Sequence, residues 1–205
     1  GLGDVYKRQD NDSLSLGNNF IHCLLETPGG DILVGTKEGL YSYNPDRDDF
    51  RHVSLDGHRF GDDRNSIHCL VIDKSGHLWV GCYGQGVYRL DPQLHVVRHY
   101  GGKQLPSRFV TAMATDISGA IWIGTDNAGI FRLDPATGKT TPTPVSGENI
   151  QTIYRQNDNT LWIGTLTDGL FHFDPRSNSV RRITHTTSSN APVHDIKALT
   201  PYSPN

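Results

Sequence analysis

Histidine binds metals and moves protons near neutral pH more readily than any other side chain. Three of the ten histidines in this chain recur in one context. His22, His68 and His194 each follow an Ile or Val that opens a short apolar run, and Thr111 and Gln151 stand at the same place in two further runs. This set can contact a solute or water, or it can simply line a channel. Metal ligation needs donors at about 2 Å from one ion, and equivalent atoms on separate repeats stand too far apart for that, so no metal is expected. A second set lies in short turns that vary where their surroundings repeat: Tyr83, Gln85, Asp126, Asn127 and Thr167. Their aromatic, amide, hydroxyl and carboxylate groups suit carbohydrate hydroxyls and ring faces, while the plainer reading is a set of solvated turns.

The signatures of covalent and phosphate chemistry are missing from the sequence. No Gly-rich phosphate loop precedes a helix, no GxSxG elbow occurs, and no paired carboxylates recur at short spacing. The chain is expected to be non-catalytic and to need no cofactor. His95, His99, His172 and His185 fall on outer strands or loops and are expected to face solvent.

The elements that position these residues come from a tandem repeat. The first unit reads FIHCLLETPGGDILVGTKEGLYSYNP from Phe20, and the second SIHCLVIDKSGHLWVGCYGQGVYRLDP from Ser66. The third reads FVTAMATDISGAIWIGTDNAGIFRLDP from Phe109, and the fourth NIQTIYRQNDNTLWIGTLTDGLFHFDP from Asn149. A fifth opens as PVHDIKALTP from Pro192. Successive units start about 40 to 46 residues apart, the period of propeller repeats.

Each unit reads as four strands rich in Val, Ile, Trp, Tyr and Phe, punctuated by Gly, Asn, Asp and Pro. Fourth strands are expected at Phe50 to Val53, His95 to Tyr100 and Val180 to Ile183, with Lys139 to Val145 the poorest match. The fold class is therefore all-β, a β-propeller of four-stranded antiparallel blades, present as an incomplete arc of about four blades plus the first strand of a fifth. The blades are placed at about 20–60, 66–103, 109–147 and 149–186, with the next starting over 192–205. Gly76 and Gly119 suit positive φ in the hairpin joining strands one and two, with Asn159 as their tolerant counterpart. Trp79, Trp122 and Trp162 are assigned to packing between blades, and Gly81, Gly124 and Gly164 leave space on the same face. First strands are innermost, so His22, His68, Thr111, Gln151 and His194 are expected around a central channel.

The combination of Asp-x-x-Gly-x-x-Trp, then WIGT, then Gly, an aliphatic residue, an aromatic and Asp-Pro resembles the two-component regulator propeller repeat. That resemblance implies a periplasmic sensor region of two propellers, ahead of a β-sandwich, a membrane helix and a histidine kinase in a hybrid two-component receptor. It further implies an oligosaccharide or other small ligand, packing partners in the remaining blades and the second propeller, and a homodimeric parent. Family propellers usually carry seven blades, which would need roughly 300 residues, so the 205 residues are expected to be a fragment. The membrane would be reached only through other parts of the parent. The competing expectations are a periplasmic or secreted scaffold for protein binding and a propeller lyase, which similar repeats also build.

Composition narrows the classes further. A formal charge of −3 spread along the chain, with no basic stripe, argues against nucleic acid as a partner. No run approaches the roughly 18 apolar residues of a membrane helix. Cys23, Cys69 and Cys82 are odd in number and lack CxxC spacing, so they read as small buried residues. Residues 1–10, which include GLGDVYKRQ, match nothing in the repeat and are expected to be a non-native or disordered leader.

Overall fold

The computed structural model describes residues 15–55, 65–183 and 196–199. Blade 1 is the meander β1 (Ile21–Glu26), β2 (Ile32–Thr36), β3 (Gly39–Asn44) and β4 (Asp49–Val53). Blade 2 repeats it as β5 (Ile67–Ile72), β6 (Leu78–Cys82), β7 (Gly86–Leu90) and β8 (Val96–Tyr100). Blade 3 follows with β9 (Val110–Thr115), β10 (Ile121–Thr125), β11 (Gly129–Leu133) and β12 (Thr140–Pro142). Blade 4 consists of β13 (Ile150–Arg155), β14 (Leu161–Thr165), β15 (Leu170–Asp174) and β16 (Ser179–Ile183). The four sheets are antiparallel throughout and form an open arc, with the first strands of successive blades side by side on the inside. β12 is three residues long because Pro142 cannot donate to the ladder, which cuts short the strand expected over 139–145.

In blades 2 and 3 the opening hairpin is tied by one acidic side chain. In blade 2, Asp73 Oδ1 accepts from the Ser75 and His77 backbone N–H groups at 2.9 and 3.0 Å and from the Ser75 hydroxyl at 2.6 Å. Its Oδ2 accepts from the Trp79 indole at 2.9 Å. Burial works to raise this carboxyl, but the hydrogen bonds from Ser75, Trp79 and His77 hold it below the ordinary aspartate value. Asp116 repeats the turn bonds through Ser118 and Ala120. In blade 4 the acceptor is Gln156, whose Oε1 takes the Trp162 indole at 2.6 Å. The turn itself requires positive φ at Gly76 (80°) and Gly119 (89°), and Asn159 adopts 70° at the same place.

Blades pack through three separate cores. Leu33, Leu40 and Val53 of blade 1 meet Ile67, Leu70, Leu78, Val80 and Leu90 of blade 2. From the opposite face of blade 2, Trp79, Val87 and Tyr100 meet Val110, Met113, Ile121, Ile123 and Leu133 of blade 3. The third core joins Ala112, Trp122 and Ile130 to Ile150, Leu161, Ile163 and Phe173. Each strand thus alternates between two neighbours, which is why the apolar runs are continuous. Trp79 is fully buried, and covering an aromatic of about 200 Å² contributes about 5 kcal/mol at about 25 cal/mol/Å². Trp162 lies on the matching face of blade 4, turned away from blade 3, and is partly buried.

The tightest element of these cores is a glycine. A Cβ on Gly81 would stand 2.9 Å from Val110 Cγ1, one on Gly124 2.6 Å from Ile150 Cγ2, and one on Gly35 2.8 Å from Ile67 Cγ2. In each case the first apolar residue of one blade fills the space left by a glycine in the second strand of the blade before it. A Cβ on Gly164 would stand 2.7 Å from Ile196 Cγ2. Ile196 stands three residues after Val193, as Met113 and Ile153 stand three after their openers, and those two residues also approach the glycine of the preceding blade. His194 itself lies outside the described residues.

This packing separates two glycine positions that look alike in sequence. Gly124→Ala is expected to destabilise by about 1–3 kcal/mol through overpacking against Ile150, whereas Gly119→Asn is expected to cost less than about 1 kcal/mol. Chemical denaturation of both variants measures the difference. Equal losses would contradict the assignment of Gly124 to packing.

Candidate functional site

A bulge in each first strand aims one side chain into the channel. In blade 1, Ile21 pairs with Thr36 and Cys23 with Gly35, which leaves His22 as the extra residue. The same shift isolates His68 between Ile67 and Cys69, and Gln151 between Ile150 and Thr152. In blade 3, Thr111 is the extra residue between Val110 and Ala112. An extra residue inverts the alternation beyond it, so Ile67 and Leu70 both face blade 1 while Cys69 and Val71 face blade 3. The bulged residue belongs to neither core.

These four residues meet part of the turn set in a cavity of about 390 Å³, lined by His22, His68, Tyr83, Thr111, Asp126, Asn149 and Gln151. One wall is a ladder of rings. His22 stacks on His68 with centroids 4.3 Å apart, His68 on Tyr83 at 5.0 Å, and Tyr83 leans on Phe109 at 5.0 Å. The other wall is a hydrogen-bonded chain. The Tyr83 hydroxyl donates to Asp126 Oδ2 at 2.6 Å, Asn149 Nδ2 donates to Asp126 Oδ1 at 2.5 Å, and Gln151 Nε2 donates to Asn149 Oδ1 at 2.7 Å.

Local backbone contacts hold the first residue of each turn beside its bulged strand, and in blades 2 and 3 that residue, Tyr83 or Asp126, lines the cavity. The N–H groups of Lys37, Tyr83, Asp126 and Leu166 donate to the carbonyls of Phe20, Ser66, Phe109 and Asn149 at 2.8 to 3.0 Å. Each turn is thereby pinned beside the residue that precedes the bulged strand. Burial, then the Lys37 ammonium, lowers the His22 imidazole from its ordinary value. Burial, then the neighbouring His22, brings His68 down to about 4. The hydrogen bond to Asp126 is the first cause that raises the Tyr83 phenol.

Three of the turn residues stand elsewhere. Asn127 is exposed, with φ of 64°, and occupies the left-handed position of its turn. Thr167 is exposed and donates to Asp168 at 2.7 Å. Gln85 lies outside the cavity, and its carbonyl accepts from His99 Nε2 at 2.7 Å. That bond, with His99 stacked 4.1 Å from Tyr88, corrects the expectation that His99 faces solvent. His172 is likewise engaged, 4.7 Å from the Trp162 ring, because the outer strands lie over the large aromatics. His95 is exposed, and His185 lies outside the described residues.

Asn149 was not among the expected site residues, and its place in the sequence explains the omission. It immediately precedes the strand opener, a position held by Phe20, Ser66 and Phe109 in the other blades. Three of these four reach back to the preceding blade: Ser66 Oγ lies 3.3 Å from His22 Nε2, Phe109 meets Tyr83, and Asn149 meets Asp126. The available signal was the polar or aromatic character of that position.

The thiols carry no such chemistry. Burial pushes Cys23 up to about 12 and raises Cys69 and Cys82 above the ordinary range, so none supplies a thiolate near neutral pH.

The depressed His68 value has a signed consequence. An imidazole titrating near 4 in the folded state and near 6.5 when unfolded contributes stability that is fully present above about pH 6.5 and lost as pH falls toward 4. An NMR titration of the His68 ring should show a midpoint well below 6.5, and His68→Gln should flatten the stability profile between those limits. A midpoint near 6.5 would show the ring to be solvated.

The comparisons place this geometry among known proteins. The two component regulator propeller family matches residues 61–84, 104–127 and 144–167. No curated protein matches the chain. Among solved structures it is similar to the extracellular domain of BT4673 from B. thetaiotaomicron, with TM-score 0.75 and 21% identity over 89% of this chain and 26% of that one. BT4673 is described as a hybrid two component system in one structure and as a one component system in another. The corresponding domain of the hybrid two component system BT3049 from the same organism gives TM-score 0.69 and 23% identity, over 85% of this chain and 24% of that one. Virginiamycin B lyase from Staphylococcus aureus gives 0.69 and 18%, over 89% and 61%. At these identities the likeness is one of fold, and the chain spans about a quarter of the two component domains. The family match and the blade geometry agree: this chain carries two-component regulator propeller repeats, set in an open arc of four blades.

Proposed function

We propose that this arc is part of the periplasmic ligand-sensing propeller of a hybrid two-component sensor, and that its channel mouth binds an oligosaccharide. One observation carries the reading: seven polar or aromatic side chains contributed by all four blades converge on one cavity. Their hydroxyl, amide, carboxylate and imidazole groups are those that hydrogen-bond sugar hydroxyls. A ligand touching four blades at once favours one relative arrangement of them, and that differential affinity would bias an attached histidine kinase within a homodimeric parent.

The site reads as binding rather than catalytic. Asp126, the lining carboxylate, has both oxygens engaged by Tyr83 and Asn149, and His22 and His68 are stacked on one another. The similarity to the lyase rests on the shared propeller fold.

Isothermal titration of an oligosaccharide panel against the complete extracytoplasmic region tests the proposal. At least one member should bind, and Asn149→Ala should weaken it about tenfold by removing a lining amide and the partner of Asp126. Kinase autophosphorylation should respond to the same sugar. Binding unaffected by Asn149→Ala and Tyr83→Phe would place the ligand elsewhere, and a protein partner bound in place of any glycan would favour the scaffold reading.

A further inference from the structure

The direction of each hydrogen bond in the mouth can be assigned from Asp126. An ionised carboxylate only accepts, so Asn149 must turn its amide nitrogen toward it. That orientation leaves Asn149 Oδ1 facing Gln151, which in turn must present its own nitrogen. Tyr83 is fixed in the same way, its proton directed at Asp126 Oδ2. Two donors are thus drawn to the carboxylate, and a third, Gln151 Nε2, to Asn149. What remains among the lining residues is mixed: acceptors on Gln151 Oε1, the Tyr83 oxygen and Asp126, and donors in the second amide protons of Asn149 and Gln151, the Thr111 hydroxyl and the imidazole N–H groups.

The rings add a second constraint. His22, His68 and Tyr83 lie within 28° and 23° of parallel along the ladder, so their faces cover each other. A sugar ring in the mouth meets their edges, where the imidazole nitrogens and the phenol oxygen lie. Recognition there depends on hydrogen bonds more than on ring stacking.

Charge supplies the third. Among the described residues, Asp126 is the one carboxylate in the lining, and none there is Lys or Arg. Burial holds His22 and His68 toward the neutral form. Of the cations nearby, Lys37 acts on His22 and Arg182 Nη2 lies 3.8 Å from Asp168, while Lys197 is exposed. None of the three lines the cavity.

We infer that the channel mouth selects an uncharged or amino sugar and discriminates against acidic sugars. This rests on the reading of the mouth as a sugar site and adds the class of sugar. Asp126 is its specificity-determining residue: it orients the amide chain and opposes an incoming carboxylate or sulfate.

The test uses the 205-residue chain and three disaccharides of one size: cellobiose, its diamino counterpart chitobiose, and digalacturonate. The His22 and His68 ring resonances report binding. Cellobiose and chitobiose should shift them, and digalacturonate should bind at least about tenfold more weakly. Asp126→Asn should narrow that gap, and so should raising the salt concentration on the unmodified chain, which screens the repulsion without altering the fold. Digalacturonate binding as tightly as cellobiose would overturn this inference while leaving the sugar site intact. If none of the three shifts either ring, the sugar reading of the mouth falls, and the inference with it.

Discussion

The arc is held in register by the fit of a β-branched or aliphatic side chain into the space above a glycine. Gly35 receives Ile67, Gly81 receives Val110, and Gly124 receives Ile150, each with less room than a methyl group needs. Close packing of this kind tolerates added volume poorly, so the glycine fixes both the approach of the next blade and its height along the axis. The three cores, the ladder of rings and the polar chain all inherit their geometry from that approach. Ser66 reaches His22, and Asn149 reaches Asp126, because the strand openers beside them are seated in glycine holes of the blades before.

The bulge reconciles two demands on the same short strand. The opener must face the preceding blade, and the core residues three and five positions later must face it too, which a regular alternation forbids. One extra residue restores the parity and is itself left pointing into the channel. His22, His68, Thr111 and Gln151 are therefore products of the packing scheme as much as of any ligand requirement. The mouth is polar because those positions cannot be buried between blades.

The scaffold was legible in the sequence because every element recurs. Four registered copies of the turn, the Trp or Leu and the glycine defined the strands, and the glycine's role followed from its place in a continuous apolar run. The bulged residues were equally legible from their position after the opener. The turns were read less well: Tyr83 and Asp126 line the cavity, while Gln85, Asn127 and Thr167 do not. The first residue of each turn is pinned beside the bulged strand by its N–H and in blades 2 and 3 lines the cavity, whereas the left-handed Asn127 serves the turn. Asn149 escaped because its contact is with the preceding blade, a relation that exists only after blades stack.

The separation between cores and bulges bears on how such proteins diverge. Substitutions at a core position must satisfy two blades at once, and the glycine at the seat has almost no permitted alternatives. The bulged position answers to neither constraint, and its four occupants in this chain already span imidazole, hydroxyl and amide. Gene duplication that copies a blade thus delivers an intact structural module together with one channel-facing residue outside both cores. A lineage can change the chemistry of its channel mouth by drift at those residues while the stability of the arc stays under separate selection.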